Sequence, residues 1–552
     1  MENYDIALFV FDLIYIGFLI WLSDHKSIRL FKQLHLLYCV PLLMTVIHIS
    51  FTNAEICLLG LYIASALAFI GFFVEKTRVK RHLCILGMLS VLITLPFCIF
   101  KQDYRNPHYT EEFVEGCRTM KEYYVLSEYK EIDWEGLEEK YTELFKKADR
   151  EKDKEQAYEY WVQFTKEFQD AHVSVEAVKD DEEMFEKYAR KCAGYDYGFS
   201  LVTLEDGRTV FSNVDEKSSA YQNGISDGME VTAIDGNEIG EMLKSAKIWF
   251  GVFPDKENEA FYKCLTVTAD CGKEIKVDYI DKTGNKQTVN CTECGNGYER
   301  FRNTYRKLCW YVEETNLSCD MVTENIGRIV INDMMVPPGI QYGEEEVDED
   351  DEQEKYNGLK AKVRDQIAKL KNDGADKLII DIRNNHGGYM DVSIALAELF
   401  NDKERFGAAE GKYNEKKDKY EIVDSVSLKA DNVWGDGDIV ILVNSETGSA
   451  AELFTYFMSG LDNVTVMGMT KTVGSSMMVG GCDLVRFSIN YPEMLVLDEN
   501  ADILIDSDVN RISKLPLDVR ISFDDKAFEA IMEDGRDYVR EQAVDYLNNN
   551  IK

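Results

Sequence analysis

Two short motifs follow apolar runs of the length expected for buried strands. Residues 381–388 read DIRNNHGG, and residues 444–452 read NSETGSAAE. The pair Gly387-Gly388 lets backbone N–H groups approach a ligand closely, and Ser449 falls at the start of a predicted helix, where the dipole is positive. Alone, the first motif also fits a simple turn and the second a helix cap. On adjacent strands of one sheet, the two predict an acyl-transfer site in which the N–H of Ala450 stabilises an oxyanion.

The elements around these motifs predict how they are positioned. The runs 377–382 and 438–444 are predicted strands with continuous apolar stretches at 378–380 and 439–443, and helical patterns precede or follow them, which indicates a parallel sheet covered by helices. Upstream, residues 101–180 show large apolar residues at helical spacing. The second of these predicted helices ends in Asp170-Ala171-His172, where the periodicity changes from helical to alternating. His172 is therefore expected at a helix-to-strand corner.

Between these regions, residues 195–279 read as short strands with turn signals. Residues 218–236 resemble the second half of a PDZ domain, with Met229 where an aspartate is usual. The preceding residues 197–200 include Gly198 and Phe199. In this resemblance their backbone N–H groups would receive the C-terminal carboxylate of a peptide.

Taken together, these pieces resemble the C-terminal processing (tail-specific) serine peptidases and their tricorn-type relatives. The motifs occur in the family's order over roughly residues 115–520: the helical lead-in, the corner at 170–172, the PDZ-like segment, the strand 326–331, the motifs at 381–388 and 449–452, and the stretch 468–474. The resemblance implies an α/β core of the crotonase or Clp-protease type. It also implies that Ser449 is the nucleophile and that Ala450 and Gly387 or Gly388 form the oxyanion hole.

The general base is less clear from this resemblance. Members with a Ser-Lys dyad have a lysine where this chain has Ser475, and Lys471 lies four residues earlier, where a strand would point it elsewhere. Tricorn-type members use a histidine at the corner, and a histidine titrates near neutral pH, so we favour His172 over Lys471. A purely structural role for His172 stays open. The other candidates for this part of the site are Ser174, Ser475, His386, Asp506 and Asp508.

Charge and hydropathy divide the chain at about residue 100. The net charge is −37, and nearly all of it follows residue 100. Such an acidic region disfavours nucleic-acid binding. The first hundred residues contain apolar stretches at 6–22, 34–51, 56–73 and 83–100, each about long enough to span a bilayer. Basic residues in the first and third connections predict that these face the cytoplasm, which would put the N-terminus and everything after residue 100 outside.

Nine cysteines follow residue 100, and their pairing cannot be read from the sequence. We favour disulfides over free thiols, and both over a metal site built on Cys291 and Cys294. The insert 344–354 contains nine acidic residues in eleven and is expected to be an exposed loop.

The sequence thus predicts a multi-domain protein: a four-helix transmembrane anchor (1–102), a helical lead-in (103–185), a PDZ-like domain (186–290) and an α/β serine peptidase core (291–552). The expected function is that of a multi-pass cell-membrane enzyme that cleaves polypeptides, and the resemblance allows cleavage near their C-termini. No cofactor or metal is expected to take part. The alternative is a catalytically inactive relative that binds peptides and signals; a transporter finds no support in the bundle. The substrate and the oligomeric state stay undetermined.

Overall fold

The computed structural model describes residues 108–179, 181–310, 317–335, 349–414, 416–515 and 517–549, without the side chains of 349–357. The chain divides into two compact units, Met1–Glu112 and Phe113–Lys552. Only residues 108–112 of the first unit are described. The fold given below is therefore that of the second unit, together with the helix Tyr109–Tyr123 that begins just before it.

The predicted fold class and location need a correction. Among the residues that the structure describes, no helix is both long enough and apolar enough to cross a membrane. The long helices Trp134–Glu151 and Glu349–Asn372 carry charged residues every few positions. The four predicted spans fall in residues 1–102, which lie outside the described residues. We withdraw the transmembrane bundle, the membrane embedding and the multi-pass location with an outward-facing catalytic domain.

A helical lead-in begins the described chain. Its helices are α1 (Tyr109–Tyr123), α2 (Trp134–Glu151) and α3 (Lys154–Lys166). Asp133 and Asp153 cap α2 and α3 by accepting hydrogen bonds from backbone N–H groups of the first turn. The apolar stripes meet in a cluster of rings in which Phe113 stacks on Phe145 and contacts Phe164 edge to face. The lead-in thus has a core of its own, which holds the end of α3 in place.

A β domain follows. After β1 (Ser174–Ala177) and α4 (Asp181–Cys192), its elements are β2 (Tyr195–Asp196), β3 (Ser200–Thr203), β4 (Thr209–Ser212), α5 (Ser219–Gln222), β5 (Glu230–Ile234), β6 (Asn237–Glu238), α6 (Ile239–Ser245), α7 (Lys256–Tyr262), a 3-10 turn (Lys263–Leu265), β7 (Glu274–Ile280), β8 (Lys286–Thr292), β9 (Gly295–Asn296) and α8 (Tyr298–Leu308). Strands β3 to β8 form a six-stranded antiparallel sheet. Phe199, Phe211 and Val231 fill the core of this domain, while Val202 and Val210 belong to the core of the next. The alternating strands therefore fasten the β domain to the core; its identity as a PDZ-like domain stays a prediction.

The remaining elements build the core. They are β10 (Leu317–Met321), β11 (Ile326–Ile331), α9 (Glu349–Asn372), β12 (Lys377–Asp381), α10 (Met390–Glu398), β13 (Arg405–Asn414), β14 (Lys419–Leu428), β15 (Ile439–Leu442), α11 (Ala450–Ser459), β16 (Val464–Gly468), β17 (Met478–Asp483), β18 (Phe487–Leu497), β19 (Val519–Arg520), α12 (Asp525–Phe528), a π-helical turn (Glu529–Glu533) and α13 (Tyr538–Asn549). A six-stranded sheet runs in the order β10-β11-β12-β15-β16-β19. All neighbours pair in parallel except β10 with β11. The predicted parallel sheet is thus present.

The adjacency of β12 and β15 decides where the two motifs lie. In the parallel register Asp381 pairs with Leu442, so the chain leaves both strands at the same edge of the sheet. Every residue of β15 is buried, as expected for a strand covered on both faces. The loop 382–388 and the turn 443–449 therefore emerge side by side, as predicted.

A second sheet joins the lead-in to the core. Its order is β1-β18-β13-β14, with β17 also paired to β18. In it β1 pairs antiparallel with β18, Ser174 opposite Asn490. Because β1 follows the end of α3 by a few residues, this pairing fixes the helix-to-strand corner on the core.

A buried ion-pair triad supports the 381–388 loop from below. The Arg383 guanidinium donates to both carboxylate oxygens of Asp381, with the Nε bond at 2.8 Å, and to both of Asp537, each at 2.8 Å. All three side chains are buried. Burial disfavours the charge on Arg383, but the two carboxylates hold its pKa above the usual range. The segment before α13 is thereby fastened to the end of β12.

Replacing Arg383 with methionine is expected to destabilise the fold strongly, because Asp381 would remain buried without a cation and Asp537 would keep only Arg540, whose Nε lies 3.8 Å away. We expect the free energy of unfolding to fall by about 3–5 kcal/mol, measured by urea denaturation. The matched control is Arg536→Met, which removes an exposed arginine that pairs with Glu541 and Asp534. That variant should keep the wild-type midpoint, and equal midpoints for the two variants would contradict the role given to the triad.

Candidate active site

The predicted nucleophile lies at a sharp turn between β15 and α11. Ser449 adopts φ +54° and ψ −126°, and it is half-buried at the N-cap of α11. A residue other than glycine held at positive φ stores about 1–3 kcal/mol of strain, so its surroundings must enforce it. Thr447 contributes to this, because its hydroxyl donates to the carbonyl of Ile382 at 2.9 Å. Ser449 is thus presented at the edge of the sheet beside the positive end of a helix.

A buried carboxylate holds this turn. Glu452, in the first turn of α11, accepts backbone hydrogen bonds from Ser449 (3.2 Å), Gly474 (2.7 Å) and Ser475 (3.1 Å). Burial raises the pKa of Glu452 to about 8, although the N–H groups of Gly474 and Ser475 act in the opposite direction. Glu452 therefore joins the nucleophile turn to the segment that follows β16.

The glycine pair lies directly against Ser449. Gly387 has φ +101°, and a Cβ added there would lie 2.6 Å from the Cβ of Ser449 and 2.8 Å from the amide nitrogen of Ala450. The Gly387 N–H donates to Asn385 Oδ1 at 2.9 Å. Within the described residues, no such partner is found for the N–H of Gly388 or of Ala450. Of the two predicted glycines, Gly388 therefore has the N–H that is available to an oxyanion together with that of Ala450.

Ser475 connects the turn to the helix-to-strand corner. Its carbonyl accepts from the Ser449 N–H at 3.0 Å, and its hydroxyl donates to Asp170 Oδ1 at 2.9 Å. Asp170 is buried and also accepts from the backbone N–H of His172 at 3.0 Å and from the Tyr124 hydroxyl at 2.9 Å. The corner and the nucleophile turn, some 280 residues apart in sequence, therefore meet at Ser475.

His172 lies at this corner, as predicted. Its Nδ1 is buried and has no hydrogen-bond partner. Burial lowers the pKa of His172 below the ordinary 6.5, and the nearby Asp170 opposes that shift. No hydrogen bond joins His172 to Ser449 among the described residues. A neutral imidazole is thus held near the turn without a direct bond to the serine.

Within the described residues, the other base candidates make no hydrogen bond with Ser449. Lys471 Nζ is 3.4 Å from Asp255 and 3.7 Å from Glu257, at the start of α7. His386 is next to the glycine pair but mostly exposed, with Nδ1 3.8 Å from Glu446. The lysine is therefore engaged by carboxylates of another element, and the histidine lies at the rim of the site.

Three further predicted residues, Ser174, Asp508 and Asp506, have hydrogen-bond partners other than Ser449. The Ser174 hydroxyl accepts from Asn490 Nδ2 on the neighbouring strand at 3.3 Å. Asp508 accepts from the backbone of Asn510 at 2.8 Å, within its own turn. Asp506, in contrast, is buried and accepts from the N–H (2.9 Å) and hydroxyl (3.1 Å) of Ser476. Burial, with Asp170 nearby, raises the pKa of Asp506 to about 7. Of the two predicted aspartates, Asp506 and Asp508, the buried one is thus Asp506.

The predicted peptide-binding loop is occupied by its own chain. The N–H of Gly198 donates to Asp196 Oδ1 at 2.7 Å, and Asp196 pairs with Arg300 at 2.5 Å. The Phe199 ring is buried and contacts Phe211 edge to face at 4.9 Å. The Gly198 N–H is therefore not available to a carboxylate in this state, and the Phe199 side chain belongs to the core of the β domain.

Sequence reasoning gave no role to Glu452, Asp170 or Asn385. One signal was present, because Ser449 and Glu452 have the S-x-x-E spacing of a capping box. Asp170 and Asn385 act through contacts distant in sequence, which no local pattern reveals. The cysteines also differ from expectation: the nine from Cys117 to Cys482 are all free thiols, so the favoured disulfides are not formed. Among the described residues, no group of His, Cys, Asp and Glu side chains is arranged to hold a metal.

Two segments of the chain match known protein families. Residues 325–507 match the model of peptidase family S41, and residues 106–156 match the C1 domain of tricorn protease. A probable CtpA-like serine protease of Staphylococcus aureus (strain N315) is 32% identical over 120 residues, which are 21% of this chain and 23% of the relative. Its counterpart from Staphylococcus saprophyticus is 33% identical over 118 residues, again 23% of its length. The chain thus aligns with about a quarter of the length of these curated relatives.

Among solved structures, the crystal structure of mature CPAF covers 81% of this chain and 98% of its own, with a TM-score of 0.53 at 11% identity. This is a likeness of fold. The match to the peptidase family lies in the core, and the matched segment contains Ser449, the glycine pair, Glu452 and Ser475. What the sequence shows is thus a match of residues 325–507 to peptidase family S41.

Proposed function

We propose that the protein is a serine-type peptidase that cleaves polypeptides through an acyl-enzyme on Ser449. The observation that carries this proposal is the juxtaposition of Ser449, in its enforced turn, with the unpartnered N–H groups of Gly388 and Ala450. Two unpartnered backbone donors beside a half-buried hydroxyl match the needs of a tetrahedral oxyanion. The family match of the same segment supports the proposal.

In the proposed reaction, the Ser449 hydroxyl attacks the carbonyl carbon of the scissile peptide and gives its proton to His172. The negative oxygen of the tetrahedral intermediate accepts from Gly388 and Ala450. Collapse breaks the C–N bond, the amine leaves with the proton from His172, and an acyl-serine remains. Water then attacks the ester carbonyl and gives a proton to His172. The C–O bond to Ser449 breaks, His172 returns that proton to the Ser449 oxygen, and the carboxylic acid product leaves.

The proposal assigns the segments as predicted from the sequence: a helical lead-in at 103–185, a PDZ-like domain at 186–290 and the peptidase core at 291–552. The six-stranded antiparallel sheet supports the second of these. Binding of a peptide C-terminus at Gly198 would first require Asp196 to release that N–H.

One observation favours a second candidate function, a catalytically inactive protein that binds peptides. His172 makes no hydrogen bond with Ser449 within the described part of the chain. Catalytic hydrogen bonds are often longer in a free enzyme and shorten when substrate binds, so the observation does not decide between the two functions.

A fluorophosphonate probe separates these candidates. The wild-type protein should be labelled covalently, because the probe requires a serine activated by a base and an oxyanion hole. Ser449→Ala should lose labelling and reduce hydrolysis of an unfolded protein substrate by about a million-fold. Retention of the far-UV circular dichroism spectrum shows that the variant folds. Failure to label folded wild-type protein would favour the inactive binder.

The assignment of His172 as the general base is tested by substituting each candidate base in turn. His172→Gln should lower kcat/KM by about 10² to 10⁴, whereas Lys471→Met and His386→Gln should retain most activity. Because burial lowers the pKa of His172, activity in the wild type should be present near neutral pH and disappear only as the pH falls through a value below 6.5.

The pH profile of Asp506→Asn is the control, since the pKa of Asp506, raised to about 7 by burial, places a second titration nearby. If the acidic limb disappears in Asp506→Asn, the limb does not belong to His172. If Lys471→Met is the inactive variant, the assignment of the base is wrong.

The oxyanion hole predicts a third result. Gly387→Ala adds a methyl group 2.6 Å from the Cβ of Ser449, which must displace the turn or the loop and so remove a donor from its position. We expect kcat to fall by about 10² to 10³ with little change in KM. Gly284→Ala is the matched control, because Gly284 also has positive φ but its added methyl group contacts nothing within 4 Å. Equal activities of the two variants would contradict the arrangement.

A further inference from the structure

A cavity of about 500 Å³ lies beside the site at a junction of three elements. Glu128 and Tyr129, from the turn between α1 and α2, form one wall. The hairpin β13–β14 forms the second with Tyr413 and Asp418–Tyr420, and the turn 500–502 after β18 forms the third. The volume is within the roughly 300–1,000 Å³ of typical ligand sites. The reaction proposed above uses none of these residues.

Three tyrosine rings line this cavity. Tyr413 and Tyr420 contact each other with centroids 5.4 Å apart and planes inclined by 57°. Burial raises the pKa of Tyr420 to about 12, so it is a neutral phenol. The third ring, Tyr129, already has the ammonium of Lys514 5.5 Å from its centroid, although Lys514 does not line the cavity. Aromatic faces attract cations, and here one ring does so in the structure.

The charges in the cavity favour the same kind of ligand. Three carboxylates line it, from Glu128, Asp418 and Asp502, against one ammonium, from Lys419. Asp418 accepts a hydrogen bond from the Tyr413 hydroxyl. Within the described residues, the carboxylates of Glu128 and Asp502 have neither a hydrogen-bond nor an ion-pair partner. An anionic ligand would be repelled, whereas a cation would meet two free carboxylates and three aromatic rings.

A short chain of hydrogen bonds connects this cavity to the nucleophile turn. The Tyr129 hydroxyl donates to the carbonyl of Asp506 at 3.0 Å, and the Asp506 carboxylate accepts from Ser476. The neighbouring Ser475 accepts from the N–H of Ser449. One extended polypeptide, in which each residue adds about 3.3 Å, can therefore reach from the cavity to Ser449 within a few residues.

We infer that this cavity is a specificity subsite that binds the lysine or arginine side chain of a polypeptide substrate, a few residues away from the bond that is cut. The inference rests on the proposed peptidase function. The ammonium or guanidinium would lie against the tyrosine rings and pair with Glu128 and Asp502, while its aliphatic part would contact the ring edges. The subsite makes no contact with the reacting atoms and selects which bond is presented to Ser449.

Cleavage-site profiling tests the inference. The wild-type protein is incubated with a proteome-derived peptide library, and the cut sites are read by mass spectrometry. Lysine and arginine should be enriched about fivefold at one fixed position from the cut bond, as expected for a cation–π and carboxylate site. The double variant Glu128→Gln/Asp502→Asn should lose this enrichment. Glu499→Gln, which removes an exposed acid of the same turn outside the cavity, should keep it.

A binding measurement separates failure of the subsite from failure of the peptidase. Ser449→Ala protein is titrated with a labelled Gly-Ser peptide that carries three lysines and with its three-norleucine counterpart. Tighter binding of the lysine peptide, abolished by Glu128→Gln/Asp502→Asn, supports the subsite even if no cleavage occurs. Cleavage that depends on Ser449 but shows no basic preference overturns the subsite and leaves the peptidase intact. Equal binding of the two peptides overturns the subsite in either case.

Discussion

The carboxylate of Glu452 is the constraint on which the rest of the site depends. A buried carboxylate is costly unless backbone donors or cations satisfy it, and here three backbone N–H groups converge on it. One of them belongs to Ser449, so the same bonds that stabilise the acid enforce the positive φ of the nucleophile. The other two belong to Gly474 and Ser475, which places the segment after β16 under the turn. Without this carboxylate, the strained turn would lose the contact that holds it.

The hydrogen bonds of Ser475 extend beyond the segment that matches the peptidase family. Ser449, Glu452 and the glycine pair lie within residues 325–507, whereas Asp170 and His172 belong to the corner that follows the lead-in. The hydrogen bond from the Ser475 hydroxyl to Asp170 therefore joins the core to the helix-to-strand corner, two parts of the chain with separate sequence motifs. The pairing of β1 with β18 reinforces this join. The proposed general base is thus supplied by a region outside the core.

The parts of the site that local physics determines could be predicted from the sequence. Continuous apolar runs predicted the parallel strands, and parallel strands bring Gly387 and Ser449 to one edge. What depends on tertiary contacts could not be predicted in this way. The loop at Gly198 fits a carboxylate-binding pattern, but Asp196, two residues earlier, takes its N–H, and Arg300 from a distant helix fixes that aspartate. The favoured disulfides were wrong for a similar reason, because the number of cysteines does not tell which of them lie close together in the fold.

The aspartate beside Ser475 bears on the proposed choice of His172 over a lysine as the base. A lysine in place of Ser475 would lie against Asp170, which the serine hydroxyl now contacts. A neighbouring carboxylate favours a protonated amine and raises its pKa, which works against a lysine that has to take a proton from Ser449. His172 meets Asp170 through its backbone N–H, and burial lowers the pKa of its ring below 6.5, so the ring is uncharged near neutral pH. Burial of His172 and the position of Asp170 therefore favour the proposed histidine base at the corner.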